Sequence, residues 1–250
     1  MKINLITGGS RGLGRSMALH AADRGQDAII TYNSNKEEAD KVVQEFAAKG
    51  RKAAAVQLDV SKPASFDAFV AEVKKALKAT WNTETFDHLV NNAGIGMYTP
   101  IADVTEEKWD EIMTIHLKAP FFLTQKLLPL MNDGGKIINL SSGLARFSYP
   151  GSSSYAMMKG GIEVFTRYLA KELGARGITA NTLAPGAIAT DFGGGRVRDN
   201  KDINAAVAGQ TALGRVGLPD DIGLLGASML SDDFRWVNGQ RVEASGGIHL

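Results

Sequence analysis

The sequence predicts an α/β fold: a doubly wound parallel sheet of about seven strands with helices on both faces, in a single domain over residues 1–250. Three observations predict it. Short β-branched runs alternate with helix-spaced apolar patterns along the whole chain. The first run passes through a glycine turn directly into a helical pattern. Polar or glycine-containing clusters then follow one strand after another, and no repeat, linker or composition break divides the chain.

Residues 3–7 form the first strand, and Gly8-Gly9-Ser10-Arg11-Gly12-Leu13-Gly14 leads into a helical pattern through Arg24. Glycines let backbone N–H groups approach a pyrophosphate, and a helix N-terminus adds roughly half a positive charge. A plain glycine loop is the bland alternative; the strand before and the helix after favour dinucleotide binding. Residues 28–32 make the second strand. Ala39, Val42, Val43, Phe46 and Ala47 then keep helical spacing until Gly50 ends the helix. Residues 52–58 form strand three, and Phe66, Phe69, Val70, Val73 and Leu77 mark the next helix. Residues 78–85 read as a polar connector, after which a strand at Leu89-Val90 runs into Asn91-Asn92-Ala93-Gly94.

Residues 106–131 read as one long or broken helical region, apolar on most sides from 121 to 130 and so buried in the core or against another subunit. Strand five, 136–140, delivers Ser141-Ser142. A helix from about 153 to 174 carries Tyr155, Lys159, Ile162 and Thr166 down one side, and 179–183 is strand six. Pro185-Gly186 opens an irregular segment to about Asn204 containing Gly193-Gly194-Gly195, and residues 187–208 are expected to form a lid. A helix after Pro219 and a strand at 240–243 complete the pattern. Ligands of a parallel sheet bind at the carboxyl ends of its strands, so the Gly8 turn, Asp59, residues 91–94, Ser142 and Pro185-Gly186 should meet at one edge.

Composition excludes several function classes. Lys plus Arg number 28 against 27 Asp plus Glu, so no basic field exists to recruit nucleic acid or an anionic membrane. The absence of cysteine removes disulfides, thiolate nucleophiles and thiolate metal sites. No metal is expected. The apolar start of the chain is too short for a signal peptide, and the tracts near Phe121 and Leu127 are too broken to span a membrane. A cytoplasmic protein is expected.

Tyr155 and Lys159 stand four residues apart, one turn along the same helical face. A phenol titrates near ~10, and a cation within about 4–6 Å favours its anion. Such a pair suits proton transfer near neutral pH. On those two residues alone, a half-buried Tyr beside a solvated Lys is the simpler account. Ser142 thirteen residues earlier, the glycine turn and the Asn91-Asn92-Ala93-Gly94 run change the balance.

With Thr7-Gly8-x-x-x-Gly12-x-Gly14, Asn91-Asn92-Ala93-Gly94, Ser142, Tyr155-x-x-x-Lys159 and Pro185-Gly186 with Thr190 in order, the chain resembles the short-chain dehydrogenase/reductase family along its whole length. The general pattern is similar to that of 3-oxoacyl-carrier-protein reductases. The resemblance implies a Rossmann-like fold and the interconversion of a carbonyl and a secondary alcohol. It implies that Ser142 bonds the substrate oxygen, that Tyr155 is the general acid/base, and that Lys159 holds the nicotinamide ribose and lowers the Tyr155 pKa. Around the cofactor it implies Gly8, Ser10, Arg11, Gly12, Leu13, Gly14, Asn33, Ser34, Asp59, Val60, Asn91, Ala93, Gly94, Tyr155, Lys159, Pro185, Gly186, Ile188 and Thr190. Where most relatives carry an Asn, this chain has His116. Either a kinked helix there keeps a backbone carbonyl on a water relay, with the imidazole as an extra titrating group, or His116 is a packing residue.

Strand two ends Thr31-Tyr32-Asn33-Ser34, without the acid that grips an adenosine 2′-hydroxyl. Arg11 resembles the basic residue that meets a 2′-phosphate, and Lys36 could assist. A charge-assisted contact contributes about 1.5–3 kcal/mol, enough for roughly ten- to hundredfold preference. NADP(H) is therefore expected, with NAD(H) use the alternative. Family resemblance also implies a homotetramer, with residues 121–131, 162–169 and 238–247 at contacts. The substrate pocket should be lined by residues 95–98 and 144–149 and by the lid after Gly186. A non-catalytic dinucleotide-binding regulator is the competing class.

Overall fold

In a computed structural model describing residues 2–250, the apolar run β1 (Ile3–Ile6) is buried at every position. It lies at the centre of the sheet, parallel to β2 (Asp27–Tyr32) on one side and β4 (Phe86–Asn91) on the other. β3 (Ala53–Gln57) extends the sheet beyond β2; β5 (Met131–Leu140), β6 (Thr179–Pro185) and β7 (Arg241–Ala244) extend it beyond β4. The order is β3-β2-β1-β4-β5-β6-β7, every pair is parallel, and the expected doubly wound sheet is what the chain forms.

The helices are α1 (Gly12–Asp23), α2 (Lys36–Ala48), α3 (Phe66–Trp81), α4 (Glu106–Met113), α5 (Ala119–Leu127), α6 (Ser153–Glu172), α7 (Arg196–Asp199), α8 (Lys201–Gly209) and α9 (Pro219–Met229). They cover both faces of the sheet. Leu5, Ile29, Phe66, Phe86 and Leu123 belong to one buried cluster, and Ile6, Met17, Ile30, Phe46 and Ile222 to the other. Alternate side chains of β1 and β2 thus feed opposite layers, as the period of a strand requires.

Three local expectations are corrected. The 78–85 connector is shorter than expected because α3 runs on to Trp81, whose indole Nε1 donates to the buried Asp27 carboxylate at 2.7 Å. Strand five begins at Met131, earlier than the apolar run alone indicates. The segment after Gly186 is irregular only as far as Gly195; α7 and α8 follow, and three consecutive glycines with φ of 61–76° make the break that precedes them.

Candidate active site

The glycine turn is held in shape from β4. Thr7 Oγ1 accepts the backbone amides of Asn92 and Ala93, and Asn92 Nδ2 donates to the carbonyls of Thr7 and Gly8. Gly8 lies at φ +64, and a Cβ on Gly14 would run into the Gly8 carbonyl oxygen. Backbone therefore lines this turn where side chains would otherwise stand, a cradle that fits a dinucleotide pyrophosphate at the start of α1. Asn92 is the residue that sequence reasoning passed over. Its position between two named neighbours was visible, but its bond back to a turn 85 residues away was not.

Ala93, Gly94, Asp59, Val60, Pro185, Gly186, Ile188 and Thr190 all follow or close strands at the carboxyl edge. Asn33 and Ser34 lie beyond the end of β2. The Asn91 side chain points into the core: its Nδ2 donates to Asn139 Oδ1 at 2.8 Å and to Thr124 Oγ1 at 3.1 Å and ties β4 to β5 and α5, which leaves only its backbone for the cofactor edge. Arg11, expected to wait for a phosphate, has Nη1 2.6 Å from Asp191 Oδ2. Lys36 is likewise occupied, by Asp40 at 2.7 Å.

Ser142, Tyr155 and Lys159 converge. Ser142 ends the β5 turn, where its Oγ accepts the Leu144 amide at 3.2 Å and caps a short helical turn. Tyr155 and Lys159 sit on the first turns of α6 with 9% and 6% of their surfaces exposed. Lys159 Nζ donates to the Leu140 carbonyl at 2.6 Å and lies 5.5 Å from the centre of the Tyr155 ring.

Their electrostatics differ from the sequence expectation. Burial raises the Tyr155 phenol well above its ordinary value, and Tyr98 adds to this while the Ser142 hydroxyl opposes it. Burial brings Lys159 down to about 7, so near neutrality this amine carries only part of its charge. Burial of the phenol dominates, and Tyr155 is held as the neutral acid.

His116 lies in a π-helical turn, Thr114–Lys118, inserted between α4 and α5. Turns of that kind mark local irregularity in otherwise continuous helices. The imidazole is 2% exposed, stands 5.2 Å from Tyr155 edge to face, and has Nε2 2.8 Å from the Ile95 carbonyl oxygen. Its Nδ1 is buried without a partner among the described residues. A Cβ on Gly94 would meet His116 Cε1 at 2.5 Å, so the ring packs directly under the expected cofactor segment. Burial, reinforced by Lys159, holds its pKa well below the ordinary value and keeps the ring neutral.

The expected pocket lining is aromatic at its mouth. Tyr98, Tyr149 and Phe192 are exposed, and the Phe192 ring centre lies 6.1 Å from that of Tyr155. Arg146 is not a free cation: it bonds both Glu243 oxygens and the Ile248 and His249 carbonyls. Arg241, unforeseen from sequence, donates to the Ser142 carbonyl at 3.1 Å and to Glu163 at 2.8 Å. Among the described residues, no group of three or more His, Asp or Glu side chains is gathered to hold a metal, and no helix is long and apolar enough to cross a membrane.

Comparison with known proteins finds relatives along the whole chain. The family model described as Enoyl-(Acyl carrier protein) reductase matches residues 8–249. The tetrahydroxynaphthalene reductase PfmaG of Pestalotiopsis fici is 36% identical over 257 residues, covering 98% of this chain and 91% of that protein. The 3-oxoacyl-[acyl-carrier-protein] reductase FabG of Staphylococcus epidermidis is 35% identical over 251 residues, covering 100% of this chain and 99% of the relative. The crystal structure of the angucycline C-6 ketoreductase LanV with bound NADP superposes with a TM-score of 0.94 at 33% identity, covering 98% of this chain and 95% of that one. With a family match and relatives that span nearly the full chain, the protein belongs to the short-chain dehydrogenase/reductase family of oxidoreductases.

Proposed function

We propose that the protein is an NADP(H)-dependent reductase that converts a small, uncharged carbonyl compound to its alcohol. The observation that carries this reading is the convergence of Ser142, Tyr155 and Lys159 beside the glycine cradle. NADP bound to LanV supports the choice of cofactor. When bound, the nicotinamide dinucleotide supplies the hydride. The cradle of Gly8, Ser10, Gly12, Leu13 and Gly14 would hold its pyrophosphate, Arg11 its 2′-phosphate, Asp59 and Val60 its adenine, and Lys159 its ribose.

The chain's own groups then manage the proton. Ser142 Oγ accepts the Leu144 amide, which leaves its hydrogen to donate to the substrate oxygen. Tyr155, kept neutral by burial, transfers its proton as negative charge develops on that oxygen. The ammonium form of Lys159 then offsets the negative charge of the buried phenolate that the transfer leaves behind. His116 acts as a positioning residue, its neutral ring packed between Gly94 and Tyr155. The aromatic mouth and the commitment of Arg146 to Glu243 favour an aromatic ketone over an anionic substrate. The absence of cysteine suits work in the cytoplasm. Exposed apolar side chains on α5 and α6 support a homotetramer.

The test is a screen of fused-ring ketones and acyl thioesters with NADPH absorbance as readout, on wild type and Tyr155→Phe. Turnover should fall about 10²–10⁴-fold in the variant, with NADPH affinity retained. An unaffected Tyr155→Phe defeats the proton-transfer role. Cofactor binding by the wild type with no turnover across the panel leaves a dinucleotide-binding regulator instead.

A further inference from the structure

Arg11 projects from the glycine turn with 76% of its side chain exposed, and the group it meets is a carboxylate from the opposite wall of the cleft, Asp191. Asp191 follows Thr190 in the segment that leaves β6. Two sets of contacts fix its position. A Cβ on Gly12, the first residue of α1, would come within 4.0 Å of Asp191 Oδ1 and 3.9 Å of Thr190 Cγ2, so the carboxylate overhangs the start of that helix. The Asp191 carbonyl accepts the Gly195 amide, and Thr190 Oγ1 accepts the Phe192 amide, so a hydrogen-bonded turn holds it there. A negative side chain thus rests where the cradle and Arg11 would together attract the phosphates of a dinucleotide.

Neighbouring cations leave Arg11 as the group under competition. Arg15, one turn along α1, is engaged by Glu45 at 2.7 Å, and Arg198 by Asp199 at 2.7 Å. We infer that Asp191 is a specificity-determining latch: it occupies Arg11 across the mouth of the cleft, yields it to the 2′-phosphate of NADP(H), and by that competition sets how strongly NADP(H) is preferred over NAD(H). This rests on the reading of Arg11 as the 2′-phosphate contact. The exchange is favourable because an exposed carboxylate–guanidinium pair contributes little, whereas a phosphate monoester brings close to two charges and three acceptor oxygens to the same guanidinium.

The latch is tested by titrating NADPH and NADH into the wild type, Asp191→Asn, Arg11→Ala and the double variant, following cofactor fluorescence or heat. Asp191→Asn should improve NADPH binding about two- to fivefold more than NADH binding, the weight of one exposed ion pair. In the Arg11→Ala background the same substitution should no longer change the ratio of the two affinities. High salt should narrow the difference between wild type and Asp191→Asn. An unchanged ratio in Asp191→Asn, or a shift that persists without Arg11, overturns the latch and leaves the cofactor reading standing. If Arg11→Ala alone keeps the full preference for NADPH, both fall. Asp191→Ser provides a second replacement should the amide find a new partner at Arg11.

Discussion

Burial of titratable side chains decides more at this site than their spacing does. Tyr155 and Lys159 were legible as a pair because helical geometry puts residues four apart on one face. Their charges were not legible, since desolvation depends on everything that packs around them and moves the phenol up and the amine down together. His88 carries the same effect into the stability of the whole protein. Its Nδ1 accepts the Lys136 amide at 3.0 Å, which requires that nitrogen to be unprotonated, and burial lowers its pKa to about 4. In the unfolded chain the ring titrates near ~6.5, so below that pH the unfolded state takes up a proton that the native state refuses. Stability from this residue is complete above the unfolded value and is lost as pH falls towards 4, by roughly 3 kcal/mol in the limit. His88→Asn, which keeps an acceptor for the amide, should therefore show a smaller drop in Tm than wild type between about pH 7 and pH 4.5. Equal drops would show that the proton is absorbed elsewhere, with His116 the next buried ring to test.

Elements were read well where their own sequence determines them and poorly where a distant partner does. The helical spacing of 39–47 is a local fact, and α2 forms over it; the structure adds a cap at Asn35, whose side chain accepts the Glu38 amide. The last turn of α3 depends on Trp81 finding Asp27, 54 residues away, and no local pattern reports that bond. The C-terminal segment shows the same dependence. Ala212 and Leu213 donate to the Gly247 and Gly246 carbonyls, and Arg146 grips Glu243, Ile248 and His249 from the other side. One guanidinium thus joins the loop after Ser142 to the chain's last residues. It also keeps the Glu243 carboxyl down to about 2, with Ser245 and Arg241 assisting. Arg146→Ala should loosen both partners: hydrogen exchange at the Ala212, Leu213 and Ile248 amides should quicken by about tenfold, as loss of charge-assisted bonds implies. Unchanged exchange would assign the closure of this segment to its backbone bonds alone.

At the scale of the molecule, the parallel sheet was legible because alternating strands and helices leave few other arrangements, and it brings every strand-end cluster to one edge. The surface it leaves uncovered bears on the proposed homotetramer. Phe121 and Phe122 on α5 and Val164 and Tyr168 on α6 are all more than a third exposed, and Phe121 stacks on Phe165 at 5.0 Å, so the two helices share one apolar, aromatic face. β7 ends the sheet with an open edge, and Trp236, in the segment that leads into it, is 95% exposed. An unpaired edge and an aromatic patch each invite burial, and two separate self-complementary faces generate a tetramer with three mutually perpendicular twofold axes. Sedimentation velocity at micromolar concentration should accordingly give a tetramer. Phe121→Glu combined with Tyr168→Glu places four like charges about the first axis without entering the core, so the expected product is a folded dimer that keeps the β7 contact. A wild-type monomer would overturn the assembly outright; a double variant that stays tetrameric would move the interface off the α5 and α6 face.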